Sequence, residues 1–456
     1  MLTLRPYQVD AINGIERAER EGTRRPLVVH PTGTGKGHPL STEVPTPNGW
    51  RTWGELSPGD LVFGSDGNPI EVMAVYDRGV LPTYRVTFSD GGTLETDEDH
   101  LWSVRDPAYR KTTSEHRIMT TAEMLAEIQA GRARRWAIPV TGVIRPESDL
   151  PIGPYTLGAL IANGSLAHTG TILSTPDPMV VELIRAEGHT ANLIESSGRG
   201  ECPRYSLPGL SGQLRMMGLK VRSAEKFIPA VYLAASLDQR INLLQGLMDG
   251  DGSSRSGGRA SVYYHTTSPQ LARDVCELIA SIGGSAGLSA MERTSRRGRK
   301  YEGIVLSVLT PSHISPWGTP RKVRADQPRR RFEPRRTIVA IERVEDQEIR
   351  CITVAADDHL YVVGRNHVVT HNTVTFAGVV RDRADRGRSL VLVHRQELAD
   401  QAVEKLGWQA PELRTGIVKA DLDEVDADVV VVGVAGLRWE DIDPRNTPTL
   451  WRMAEQ

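Results

Sequence analysis

The stretch Pro26-Leu27-Val28-Val29-His30-Pro31-Thr32-Gly33-Thr34-Gly35-Lys36 decides how this chain is put together. An apolar run enters a glycine-rich turn ending in Gly-Lys, the opening of a phosphate-binding loop. Its glycines let backbone N–H groups close around phosphates, and its lysine neutralises their charge. Such a loop needs a Ser or Thr next, to hold magnesium, and then a helix. Gly37-His38-Pro39-Leu40 follows instead. The continuation stands 336 residues further on, where Thr373-Val374-Thr375-Phe376-Ala377-Gly378-Val379-Val380 supplies the hydroxyl and a helical apolar pattern. The strand Ser389-Leu390-Val391-Leu392-Val393 comes after it. Joining Lys36 to Thr373 restores one α/β element, so residues 37–372 read as an insert within it.

The composition frames that split. A chain of 456 residues implies about three folded units at roughly 150 residues each. Lys plus Arg number 55 against 57 Asp plus Glu, and the net charge of -2 argues neither for nor against a nucleic-acid partner. Hydrophobic residues at 39% suffice for ordinary cores. No apolar run reaches the ~18 residues of a membrane span, and Met1 leads straight into Leu2-Thr3-Leu4-Arg5. Neither a transmembrane segment nor a secretory signal is expected. Cys202, Cys276 and Cys351 cannot build a disulfide framework or a CxxC zinc site, which points to a cytoplasmic chain with free thiols. Cys276 lies on the apolar side of a helical pattern running from Leu271 to Ile282, a core position, and Cys202 sits in no motif.

The rejoined flanks resemble a superfamily 2 (DEAD/DEAH-like) helicase or translocase. Arg5-Pro6-Tyr7-Gln8 looks like the adenine-reading motif, His394-Arg395-Gln396-Glu397-Leu398 like the next helicase motif, and Asp428-Val429-Val430-Val431-Val432 fits the same sheet. The resemblance implies a split α/β P-loop lobe. In it Gly33, Gly35, Lys36, Thr373 and Gln8 would bind ATP with magnesium once joined. No paired carboxylates of the next motif follow before Gln456, so this chain is expected to hydrolyse ATP poorly.

The insert resembles an intein, a segment that excises itself and ligates its flanks. Thr42 to Trp50 with Gly59-Asp60-Leu61-Val62 looks like the first intein block. Asp358-His359-Leu360-Tyr361-Val362-Val363-Gly364 and Val369-Thr370-His371-Asn372 look like the last two. Alternating runs such as Tyr84-Arg85-Val86-Thr87-Phe88, bounded by Ser89-Asp90-Gly91-Gly92, suggest an all-β unit. In inteins that unit is the mainly-β Hint horseshoe.

Most inteins begin with Cys or Ser, whereas this insert begins with Gly37. It is therefore either inactive or served by a nucleophile elsewhere. Trp102, Cys351 and Thr373 match the Trp/Cys/Thr set of class 3 inteins. That resemblance implies attack of Cys351 on the Lys36 carbonyl, release of the Gly37 amine, and transfer of the acyl group to Thr373. Asn372 then cyclises with help from His371 and His359, and an O-to-N shift leaves a Lys36–Thr373 peptide bond. A neighbouring base or cation would favour the Cys351 thiolate. His100 would polarise or twist the scissile amide and protonate its nitrogen. The family's Thr-x-x-His pattern is broken, since Asp97 stands where Thr is usual and Thr96 is one place off. No cofactor is implied for splicing.

A second pattern lies inside the insert. Leu157-Gly158-Ala159-Leu160-Ile161-Ala162-Asn163-Gly164 and Leu244-Gln245-Gly246-Leu247-Met248-Asp249-Gly250-Asp251-Gly252 resemble the paired helices of LAGLIDADG homing endonucleases. Ser174 to Pro178 and Thr266 to Gln270 each open an amphipathic helix after one motif, an internal duplication. The resemblance implies an α+β domain that binds double-stranded DNA and uses Mg2+ held by Asp251 and Asn163, with Lys226 as an active-site lysine. Asn163 is a neutral amide, so cutting is expected to be weakened. Residues 290–336 hold 13 basic and 4 acidic side chains, with Arg296 to Lys300 as a hairpin tip for DNA.

The expected order is a host segment over 1–36, Hint over 37–148 and 337–372, endonuclease over 149–320, a basic linker over 321–336 and host again over 373–456. Two rivals stand beside splicing. The insert could act only as a DNA endonuclease, or the chain could act chiefly as an ATP-dependent DNA translocase. None of these readings involves a membrane.

Overall fold

The computed structural model describes residues 37–105, 117–130, 136–168, 170–194, 202–255, 261–294, 300–320, 334–356, 358, 360–371, 388–393, 402–403, 406, 412–419, 422–423 and 427–433. The chain divides into one compact unit over Gly35–Asn372 and another formed by Met1–Thr34 with Thr373–Gln456. Among the described residues no helix is long and apolar enough to cross a membrane.

The first part of the Gly35–Asn372 unit is nearly all strand. Strand Gln347–Val354 pairs antiparallel with the long strand Pro69–Leu81 and, on its other edge, with the two-residue strand His38–Pro39. Thr83–Phe88 lies between Thr93–Asp97 and Arg336–Arg343. Leu101–Val104 lies between Arg117–Thr120 and Val368–His371, which closes a hairpin with Leu360–Val363. Apolar residues of all three sheets, including Trp53, Val86, Trp102, Ile352 and Tyr361, share one core. The consequence for function is topological. The first and last described residues of this unit both return to the neighbourhood of His100, since the His38 ring stands 4.6 Å from the His100 ring and His371 pairs with Leu101.

The second part shows its duplication in three dimensions. Helix Pro154–Asn163 leads to strands Gly164–Ser165 and Ile172–Ser174, helix Pro178–Ala186, and strands Asn192–Ile194 and Arg204–Ser206. Helix Leu237–Asp251 leads to strands Gly252–Arg255 and Ser261–Thr266, helix Pro269–Ser281, and strands Ser285–Thr294 and Lys300–Leu309. Both four-stranded sheets have the same order: first, second, fourth, third. The second helix of each repeat starts the same way, with Asp177 or Ser268 accepting from its first-turn N–H groups and proline in the first turn.

Glycine lets the two leading helices touch backbone to backbone. A Cβ on Gly158 would meet the Leu243 carbonyl oxygen at 2.3 Å, and one on Gly246 would meet that of Tyr155 at 2.2 Å. Lost contact from absent side chains is offset by this close approach, around which Leu157, Leu160, Leu243, Leu244 and Leu247 form one core.

The basic linker needs correction at its far end. Arg336 is not a solvated or DNA-facing charge: it is 1% exposed, begins a strand, and pairs with Asp90 at 2.7 Å. Residues 321–333 and the tip 295–299 lie outside the described residues. The two parts of the unit meet through Trp50 Nε1 and Arg365, which both donate to the Glu277 carboxylate, at 3.2 and 3.3 Å.

In the other unit the described strands Ser389–Val393, Val429–Gly433 and Thr415–Lys419 pair in parallel, with Leu422–Asp423 antiparallel at the edge. Parallel pairing of short valine-rich runs is what an α/β lobe requires.

Candidate functional site

Gly37 sits in a closed cradle. A Cβ added to Gly37 would lie 2.2 Å from the Arg350 carbonyl oxygen and 2.6 Å from the Ile349 side chain. Only glycine fits there without displacement of backbone. The same carbonyl accepts from Trp53 Nε1 at 2.7 Å, and the Arg350 guanidinium is anchored to Asp77 and the Gly54 carbonyl, each at 2.6 Å. The wall of the cradle is therefore pinned from three sides. Cys351 is the next residue along that wall; it is 2% exposed, and its thiol donates to the Ile352 carbonyl at 3.5 Å.

The Gly37 N–H donates to Asp97 Oδ2 at 2.8 Å. Burial pushes the Asp97 carboxyl up to about 6, against the opposing pull of that hydrogen bond and of Arg78. Next door, His38 is fully buried, and its Nδ1 donates to the Glu95 carbonyl at 3.0 Å. Because a carbonyl can only accept, that contact selects the Nδ1–H tautomer, and burial lowers the ring's pKa to about 4. The rings of His38 and His100 stand 4.6 Å apart. His100 Nε2 meets the Thr370 hydroxyl, one residue before His371.

Trp102 is fully buried, 5.0 Å from the His100 ring, with Nε1 donating to Thr121 Oγ1 at 3.0 Å. Thr96 lies on the opposite strand face from Asp97 and bonds that same Thr121 hydroxyl at 3.2 Å. So Asp97, not Thr96, reaches the junction. Tyr361 completes the wall: it stacks on Trp53 at 5.5 Å, and burial together with the charges of Cys351 and Asp97 raises its phenol. Lys36, His359, Asn372 and Thr373, with Gly33, Gly35 and Gln8, lie outside the described residues, as does the His371 side chain. Sequence reasoning missed His38, Thr121 and Tyr361. Only His38, as a polar residue beside the junction, offered a signal.

At the paired helices, the carboxyl-terminal ends converge. A Cβ on Gly250 would stand 3.2 Å from Asn163 Nδ2, which brings Asn163 beside the residue that precedes Asp251. Among the described residues no three His, Cys, Asp or Glu side chains gather as a metal site. Lys226 is not a free cation. It is 5% exposed, and its Nζ donates to the carbonyls of Ile161, Ala162 and Gly164 at 2.6, 3.3 and 3.1 Å, closing the end of the first helix. Burial lowers its pKa and nearby Asp251 raises it. Asp251, Lys226, His265 and Thr266 line one pocket, in which His265 Nε2 bonds Ser253 at 2.9 Å. His265 is a further residue that no motif singled out. Cys276 packs half-buried against the helical core, its thiol pushed up to about 12 by burial, and Cys202 is exposed.

The model of a LAGLIDADG-like domain matches residues 238–309, which span the second of the two repeats. Residues 238–309 are a LAGLIDADG-like domain. The chain is also 30% identical over 410 residues to a protein of Mycobacterium intracellulare named Replicative DNA helicase DnaB, covering 83% of this chain and 65% of that protein's length. A protein of the same name from Mycobacterium leprae is 35% identical over 77 residues, 17% of this chain and 13% of its own length. Because only 120 residues lie outside 37–372, the longer alignment runs mostly through residues 37–372. Among solved structures, the Msm DnaB1 intein splicing domain bound with zinc is similar at 14% identity, with 74% of this chain and 99% of that one covered and a TM-score of 0.24. I-DmoI, solved in complex with DNA and Ca, is similar at 13% identity, with 38% of this chain and 95% of that one covered and a TM-score of 0.27.

Proposed function

We propose that residues 37–372 are an intein that excises itself by the class 3 route, with Cys351 as first nucleophile. One observation carries this reading: Gly37 is packed against the backbone of Arg350, the residue next to Cys351, with no room for a side chain. The absence of a nucleophile at position 37 is then a fit to the neighbouring strand. It is not the mark of a lost cysteine, and the reading in which splicing has been lost is disfavoured.

In this mechanism the Cys351 sulfur attacks the Lys36 carbonyl, and the Lys36–Gly37 bond breaks to leave a thioester. His100 stands at the junction, its ring backed by Trp102 and its Nε2 engaged by Thr370, and polarises the scissile amide. Thr373 takes the acyl group, Asn372 cyclises with assistance from His371 and His359, and the ester rearranges to a peptide bond. The bimolecular difficulty of ligation disappears because both junctions are held in one frame.

The nested LAGLIDADG-like domain binds double-stranded DNA. Asp251 and the Asn163 amide oxygen would hold Mg2+, which would supply charge neutralisation at a phosphate. One carboxylate fits a weakly held ion. After ligation, Gly33, Gly35, Lys36, Thr373 and Gln8 form the ATP and magnesium site of a superfamily 2 helicase lobe acting on DNA in the cytoplasm.

Intact mass spectrometry of the purified chain beside Cys351→Ala tests the splicing reading. A 120-residue ligated product and a 336-residue excised piece are expected from the wild type alone. Products that persist in the variant would move the nucleophile elsewhere. An uncut precursor in both would leave the DNA-binding domain as the only activity.

A further inference from the structure

Resting on the Cys351 splicing reading, we infer that Asp97 is the acid that protonates the Gly37 nitrogen as the Lys36–Gly37 bond breaks, a task the motif pattern would give to His100. Breaking an amide requires a proton on its nitrogen, and the side chain on that nitrogen is Asp97, whose Oδ2 accepts from Gly37 at 2.8 Å. His100 Nε2 is engaged by the Thr370 hydroxyl.

The second carboxyl oxygen is equally informative. Asp97 Oδ1 is buried and has no hydrogen-bond partner among the described residues. A carboxylate there would leave a desolvated charge half-satisfied, whereas the acid form can carry its proton on Oδ1 while Oδ2 accepts from Gly37. The groups that face this carboxyl are Arg78, which pulls toward ionisation, and Asp99, which opposes it. Tyr361 and the fully buried His38 stand at the same wall. With burial outweighing Arg78, the carboxyl titrates at about 6, close to working pH, where an acid catalyst is most effective.

The step balances without an outside reactant. The Cys351 sulfur bonds to the Lys36 carbonyl carbon, and the carbon–nitrogen bond to Gly37 breaks. The Asp97 proton goes to the nitrogen, and the proton lost by the thiol restores the carboxyl. Threonine at position 97 could accept from the Gly37 N–H but could not supply an acidic proton. That difference sets this chain apart from the Thr-x-x-His pattern.

The test uses the full chain carrying Asn372→Ala, so that only the first step proceeds, with hydroxylamine to trap the thioester. Release of residues 1–36 is followed by intact mass from pH 5.5 to 8.5. Asp97→Asn keeps the acceptor and removes the acid, and is expected to slow release by about 100-fold or more. Asp97→Glu is expected to stay within about tenfold of the parent, because it keeps a transferable proton. Parent rates should carry a limb that falls as the carboxyl ionises, and the Asn variant should lack it. Release by Asp97→Asn at the parental rate with the same pH limb overturns the assignment. Equal losses in the Asn and Glu variants with an unchanged profile also overturn it, since that is the signature of a purely structural contact. Should Asp97→Asn melt far below the parent, the displacement of the pH limb in Asp97→Glu decides alone. If the Asn372→Ala parent releases nothing, and Cys351→Ala is indistinguishable from it, the splicing reading itself has failed and the assignment goes with it.

Discussion

In the β-rich part of the Gly35–Asn372 unit, Asp97 Oδ1, His38 Nε2 and the Tyr361 hydroxyl are buried without hydrogen-bond partners among the described residues. In the helical part, the Lys226 ammonium is held by three carbonyls, and the Arg240 guanidinium by those of Ala235, Ser281 and Val143. A buried polar atom left unpaired costs about 1–3 kcal/mol, and these three gather beside Gly37, while Arg78 Nη1 and Trp136 Nε1 are also unpaired among the described residues of the same part. Lys226 and Arg240 are buried charges whose partners tie elements together, which is framework. The helical part has unpaired atoms of its own, Gln213 Oε1 and the Tyr264 hydroxyl, but these are not set against a chain junction. The contrast sets the proposed reactive site against a scaffold in which the Lys226 and Arg240 charges are paired to backbone.

The largest expected effect attacks the reactive part at its narrowest point. Gly37→Ala forces a methyl group to within 2.2 Å of the Arg350 carbonyl oxygen, so the junction or the Cys351 strand must shift. A displacement near 1 Å costs a positioned reaction about 100-fold. Thioester formation should fall by that amount, measured as hydroxylamine-released residues 1–36, while thermal melting changes little. A rate within threefold of wild type would mean that the cradle does not position the reacting groups, and the contrast with the helical part would lose its strongest support.

How much of this was readable beforehand differs between the parts for a physical reason. The paired helices are local: Gly158 and Gly246 sit at helical spacing within their own motifs, so their close packing follows from sequence. The repeat order follows from the duplicated Asp177-Pro178 and Ser268-Pro269 helix starts. The proposed splicing site is assembled from Gly37, Asp97, His100, Cys351 and Thr370, which strand pairing alone brings together. Resemblance singles out Cys351 and Trp102 as candidates, but no local pattern says that Asp97 reaches Gly37 while Thr96 turns to Thr121. Arg336 shows the converse failure: set in an arginine-rich run, it read as linker, yet Asp90, 246 positions away, buries it.

Acid sensitivity sharpens the comparison at the next scale. His38 has its pKa lowered to about 4 by burial, below its ordinary value of 6.5. The unfolded chain therefore binds its proton first, so the stability from neutral His38 is present above pH 6.5 and is lost as pH falls toward 4. Between pH 7 and pH 5 this amounts to roughly 2 kcal/mol. His367, lowered by burial and by the Arg240, Arg145 and Arg336 charges, acts in the same direction. His38→Gln should therefore flatten part of the acid limb in urea unfolding followed at both pH values. An unchanged limb would mean that His38 is not held neutral in the folded protein.

The smallest expected effect lies in the helical part. There the two repeats agree in sheet order and helix starts but differ where the leading helices end, Asn163 in one and Asp251 in the other. An amide binds magnesium through a neutral oxygen, so one half of the proposed site would attract the ion weakly. Lys226 already supplies positive charge at the end of the first helix through its bonds to Ile161, Ala162 and Gly164. That ammonium would partner an acid at position 163. Asn163→Asp should therefore raise magnesium-dependent linearisation of a plasmid bearing the target site by about tenfold, which corresponds to roughly 1.4 kcal/mol. Nicked circles should give way to linear product as the second strand becomes cleavable. If the wild type already linearises efficiently and the substitution adds nothing, Asn163 is an adequate ligand, and the two helix ends are chemically equivalent despite their different residues.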